Sequence, residues 1–85
     1  MKLATAIKKA TKATGSEPTV KGQFYYFTFE NSTISFAING RMSENATVTN
    51  FKTVTGKDET NTMIDYFDGT FHNNLTQALK FIGAL

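Results

Sequence analysis

The chain has no cysteine, no tryptophan, one proline, one histidine and no long apolar run. Each scarcity removes a class of function. Without cysteine there is no disulfide framework and no thiolate metal site, which points to a reducing compartment. With no thiol and only His72 to serve as a base, the Ser/His/acid and Cys/His arrangements of nucleophilic catalysis have almost no material to draw on. The opening MKLATAIKKA starts like a secretory leader. Its apolar run stops at Ile7 and meets Lys8 and Lys9, too short for a leader core and far short of a membrane span. A cytoplasmic protein with no membrane contact is expected.

The remaining chemistry is equally sparse. Metal binding would need Asp65, Asp68 and His72. Two acids three apart at a strand end point to different sides, so Asp68-Gly69 reads as a turn and Asp65 as a solvated side chain. Gly56-Lys57 lacks the upstream glycine and the following Ser or Thr of a phosphate loop. The seven acids are scattered, with no pair placed by spacing across a cleft. No catalytic residue, metal or cofactor is expected, and the function sought is binding.

What the chain does have is aromatic strand. Gln23 to Glu30, QFYYFTFE, carries five rings in eight residues. Alternate side chains of a strand face opposite ways, so these rings divide between two faces. With Asn31-Ser32 as a two-residue turn, Phe29 meets Ile34, Phe27 meets Phe36 and Tyr25 meets Ile38, all on one apolar face. Phe24 and Tyr26 fall on the other face, opposite Asn39 and Ala37. Direct pairing across Asn39-Gly40 would bury polar residues, so Asn39 to Asn45 is expected to be a longer loop. A third strand then runs over about 46–55. Val48 and Phe51 are three apart, which breaks the alternation near Asn50 and calls for a bulge there. Thr62 to Phe67 reads as a fourth strand.

Helices flank these strands. Over residues 2–14, Leu3, Ile7, Ala10 and Thr14 form one stripe with Ala6 and Ala13 beside it, and Gly15 then Pro18 end the helix. At the other end Phe71, Leu75, Ala78, Leu79, Ile82 and Leu85 share an arc, with Asn74 and Gln77 resembling a capping box. One domain over residues 1–85 is expected, of the α+β class. It has two layers in the order helix, three strands with an optional fourth, helix, the antiparallel sheet carrying both helices on one face.

The charge is lopsided. Residues 1–14 hold Lys2, Lys8, Lys9 and Lys12 and no acid, while the remainder holds five basic residues against seven acidic ones, within an overall +2. On the first helix the four lysines occupy the arc opposite the apolar stripe. Such an arc neutralises phosphates without reading sequence. Lys21 and Arg41 extend the positive area. Phe24 and Tyr26, away from the core, offer rings either for unpaired bases or for a protein contact.

The helix–strands–helix order resembles a double-stranded-RNA-binding domain. The segment matching that family's lysine cluster is Phe71-His72-Asn73-Asn74-Leu75, with no lysine before Lys80, so no functional residue carries over. QFYYFTF has the aromatics of an RRM strand without its flanking glycine and basic pattern. Taken whole, the Lys-rich opening MKLATAIKKATKATG, the Asn/Thr-rich strands and the lack of cysteine and tryptophan resemble the small accessory proteins of T-even-type bacteriophages. That resemblance implies a stoichiometric inhibitor of a host defence component in the host cytoplasm, such as a toxin RNase of a toxin–antitoxin system together with its RNA. The expectation is a non-enzymatic binding protein contacting RNA, another nucleic acid or a protein–RNA complex through the basic helix. The alternative is a protein–protein module or homodimer using the outer sheet face, with a host protein or a second copy as partner.

Overall fold

The computed structural model describes residues 1–40, 45–56 and 69–85. Its elements are α1 (Leu3–Thr14), β1 (Thr19–Lys21), β2 (Phe24–Phe29), β3 (Ser32–Asn39), β4 (Thr47–Thr55), β5 (Thr70–His72) and α2 (Leu75–Phe81). The strands form one antiparallel sheet in the order β1-β2-β3-β4-β5. Both helices lie on one face. There α1 touches β2 and β4, α2 touches β4 and β5, and the helices touch each other.

α1 forms because its small and apolar residues recur at helical spacing. Ala6 and Ala10 are fully buried with Leu3, and their small side chains let the helix axis approach the sheet closely. Gly15, at φ 74°, takes the left-handed residue that ends the helix, and its N–H bonds the Thr11 carbonyl at 2.8 Å. The segment before α1 is tied down as well. Leu3 N–H donates to Ala46 O at 2.8 Å and Val48 N–H to Met1 O at 3.1 Å, bridging Lys2 to Thr47.

The β2–β3 hairpin shows the expected faces in a different register. Phe29 pairs with Ser32, Phe27 with Ile34, Tyr25 with Phe36 and Phe24 with Ala37, so the turn is Glu30-Asn31 rather than Asn31-Ser32. The slip is two residues, and the side-chain period is two, so every ring stays on its expected face. Glu30 sits at φ 52°, a conformation that glycine or asparagine adopts more cheaply. Between β3 and β4 the register shifts from Ser35↔Lys52 to Ala37↔Thr49, leaving Phe36 opposite both Asn50 and Phe51. Asn50 takes φ 58°. This is the bulge that the Val48–Phe51 spacing calls for, and asparagine tolerates the left-handed conformation it needs.

Phe36 is the hub of the helix-side core. Its ring centroid lies 5.8 Å from Tyr25, 5.6 Å from Phe27 and 6.1 Å from Phe51. Around these rings pack Ile34, Ile38, Val48, Leu75, Ala78 and Leu79 together with Leu3, Ala6 and Ala10. Each fully buried large side chain stabilises the fold by about 1.5–3 kcal/mol relative to its exposed state.

Several expectations need correcting at the ends of the chain. β1 is a strand additional to the expected ones, turned onto β2 at Gly22, φ 60°. Phe71 belongs to β5 and not to the last helix, which begins at Leu75, and Leu85 is exposed rather than part of a buried arc. The expected strand Thr62 to Phe67, together with Arg41, Asp65 and Asp68, lies outside the described residues.

Candidate nucleic-acid interface

α1 presents its lysines unevenly. Lys8 and Lys12 are exposed and four residues apart, which puts them on one stripe with Cβ atoms about 5–6 Å apart. Lys2, also exposed, caps the start of the helix about 9 Å along the axis from Lys8. Lys9 is half-buried and donates through Nζ to Thr76 Oγ1 on α2. Of the four expected to form one arc, Lys9 thus reaches across to tie the two helices together, and Lys8 and Lys12 form the outward face. No acid stands in α1, and Glu17 and Glu30 are the only acidic side chains among the described residues.

Lys21 lies elsewhere. It belongs to β1, with its side chain on the sheet face away from the helices and its ammonium 5.8 Å from the Tyr26 ring centroid. It therefore extends the positive area of the sheet's outer face, not that of α1.

The outer face is organised by one cross-strand row running through all five strands: Thr19, Tyr26, Ser35, Lys52 and Phe71. Its middle is closed. Tyr26 is only 1% exposed and packs with Val54 and half-buried Phe24, whose ring lies 6.3 Å from that of Tyr26. The expectation that Phe24 and Tyr26 stand open to a partner is corrected for Tyr26. It does lie on the face away from the helices, but as a buried packing residue.

The open aromatic of that row is Phe71, 65% exposed at the β5 edge. Its cross-strand neighbour Lys52 is 6% exposed, and the Lys52 ammonium lies 5.4 Å from the Phe71 ring centroid. Gly69 accounts for the cover over the lysine stem: a Cβ built there would fall 2.6 Å from Lys52 Cε. The stem is enclosed while the charged end reaches the aromatic ring. Sequence reasoning missed this pair because Phe71 fits a helical arc as well as a strand. The triplet Thr70-Phe71-His72 is too short for alternation to decide between them.

His72, next in the strand, faces the helix side. Its Nε2 is 2.8 Å from Thr53 Oγ1, and its ring lies 4.9 Å from that of Phe81. Burial lowers its pKa below the ordinary 6.5. Among the described residues no three His, Asp or Glu side chains stand together as a metal site would require, and no helix is long and apolar enough to cross a membrane. Comparison with protein-family models, with curated proteins and with solved structures gave no match.

Proposed function

We propose that this chain is a non-enzymatic binding protein that docks on RNA, alone or within a protein–RNA complex, through the outward lysines of α1. The observation that carries the proposal is Lys8 and Lys12 exposed one turn apart on a helix without a single acid, with Lys2 at its start. Lysines in this arrangement release counterions from a phosphate backbone and supply affinity without base readout. A helix held to the sheet by Leu3, Ala6 and Ala10, and to α2 by Lys9, offers them on a rigid support. The resemblance to T-even accessory proteins supports a reading in which this binding takes place in the host cytoplasm, with an RNA-associated defence component as the target.

Fluorescence anisotropy with short RNA oligonucleotides across a salt series tests the proposal. Affinity should fall steeply with salt, and Lys8→Gln with Lys12→Gln should weaken binding. For a single strand the logarithmic salt slope should shrink by about 0.7 for each phosphate contact removed. Binding that is absent, indifferent to salt or unchanged in the double variant would overturn it.

A further inference from the structure

We propose that Asn39-Gly40, where β3 ends, is a self-modification site at which Asn39 deamidates to aspartate and isoaspartate without an enzyme. Of the chain's seven asparagines, Asn39 alone precedes glycine. Both residues are exposed, and Gly40 sits at φ 92° with nothing within 4 Å of where a Cβ would stand. No side chain therefore hinders the Gly40 nitrogen as a nucleophile towards its neighbour. That nitrogen is also uncommitted. The bonds from Val48 N–H to Met1 O and from Leu3 N–H to Ala46 O use the groups on either side of Thr47, so the main-chain groups of Thr47 itself face Asn39. The Asn39 carbonyl accordingly turns towards Thr47, and Gly40 N–H, across the same trans peptide, points the other way. No carbonyl among the described residues accepts from it.

The chemistry needs water alone. The Gly40 nitrogen, deprotonated by hydroxide, attacks Asn39 Cγ and closes a cyclic imide, and the side-chain nitrogen leaves as ammonia. Water then opens the ring. Breaking the bond from the Gly40 nitrogen to Cγ gives aspartate. Breaking its bond to the Asn39 carbonyl carbon gives isoaspartate, whose main chain runs through the former side chain. Nothing is oxidised or reduced, and water is taken up as ammonia is released. The extended backbone of β3 holds the reacting atoms apart, so ring closure waits for the Asn39–Thr47 rung to open. That rung is the last between β3 and β4, and end rungs open without disturbing the core. Thr47 also bridges Lys2, so the same row anchors the segment before α1. Isoaspartate adds a methylene to the main chain here and breaks the rung, leaving Thr47 held from the Lys2 side only.

The experiment ages wild type and Gly40→Ala in buffers from mildly acid to mildly alkaline pH and maps the products by tryptic peptide mass spectrometry. Trypsin releases residues 22–41 as one peptide, which carries Asn31 as an internal comparison for Asn39. Conversion should concentrate at Asn39 and rise with pH. It should run roughly ten-fold more slowly in Gly40→Ala, a barrier higher by about 1.4 kcal/mol. Alanine is strained at φ 92°, so the same ratio is also read in urea-unfolded chains, where the fold plays no part. Conversion no greater at Asn39 than at Asn31, or equal rates in wild type and Gly40→Ala in both states, overturns the site. Folded wild type should convert more slowly than unfolded, and equal rates would overturn gating by the Asn39–Thr47 rung. Hydrogen exchange then reads the consequence. In the isolated isoaspartyl form the Leu3 and Val48 N–H groups should exchange several-fold faster than in wild type. Asn39→Asp, which adds the charge without lengthening the chain, should leave them protected. Unchanged exchange in the isoaspartyl form, or equal release in Asn39→Asp, overturns the coupling through chain length.

Discussion

Asn74 makes the last helix possible. Its side-chain oxygen accepts from Gln77 N–H at 2.9 Å, and Gln77 Oε1 in turn accepts from Asn73 N–H at 3.3 Å. The reciprocal partner is one residue earlier than in the usual capping box, so one free donor of the first helical turn and the N–H just before the cap are satisfied by side chains. Since α2 has only seven residues, it has little intrinsic helical stability, and the cap and packing must supply it. Asn74→Ala should therefore cost about 1 kcal/mol, read from the urea midpoint at unchanged slope. Gly69 carries a sharper constraint. It sits at φ 143°, and an added Cβ would meet the Thr53 carbonyl oxygen at 3.0 Å as well as Lys52 Cε. The lysine carbon can swing aside, but the backbone oxygen cannot. Gly69→Ala should destabilise by about 1–3 kcal/mol in the same measurement.

His72 makes a third prediction at this scale. It is the chain's one imidazole, so its titration by NMR is free of overlap. Burial lowers its folded pKa from 6.5, which means the unfolded chain takes up the proton first as pH falls. Its contribution to stability is whole above pH 6.5 and is lost progressively as pH drops from there to the lowered folded value. The midpoint in the folded protein should lie below 6.5, and His72→Gln should flatten the stability profile over that window. A midpoint at or above 6.5 would contradict the burial argument.

At the scale of elements, β2 and β3 show why some features were legible before the fold was known. Faces follow parity, and parity survived a register slip of two residues, so Tyr25, Phe27, Phe36 and Ile34 were assigned to the core correctly. The bulge was legible because Val48 and Phe51 cannot both face inward on a regular strand. The cap was legible because Asn74 and Gln77 have the required spacing. The displaced turn was not, since Glu30 at φ 52° defies local preference and is held there by the pairing on either side. Glu30→Gly removes that strain and should raise stability by a few tenths to about 1 kcal/mol, visible as a higher urea midpoint. β1 and β5 were hidden for a different reason. Three residues apiece carry too little pattern, and each exists because a longer neighbour offers an edge to pair with.

The candidate site was legible only in part. Charge and helical period placed Lys8 and Lys12 outward on α1. They could not show that Lys9 bends back to Thr76, because that contact joins residues 67 apart in the chain. Nor could they show that Tyr26 is covered and Phe71 open, since burial on the outer face depends on what other segments lie over it.

For the molecule as a whole, one ring outweighs the rest. A domain of this length has a net stability of about 4–12 kcal/mol. Truncating a buried phenylalanine costs about 3–5 kcal/mol. Phe36 touches the rings of Tyr25, Phe27 and Phe51 at once, so Phe36→Ala should lower the melting temperature by about 15 °C or more. Phe71→Ala, on the open edge, should leave it within a few degrees. The contrast separates a ring that holds the fold from one that stands in solvent.

The sheet order β1-β2-β3-β4-β5 also bears on how the chain reaches this state. Each described strand pairs with its described neighbour in sequence, and the pairings from β1 to β4 close short stretches of chain and lose little entropy. The bridge from Lys2 to Thr47 is the opposite case, closing most of the first half of the protein at once. The meander should assemble around Phe36 before the first helix is sealed against it. Mutations at Phe36 should then slow folding, and Leu3→Ala should chiefly hasten unfolding. The surface that carries Lys8 and Lys12 would be the last to take shape and the first to let go.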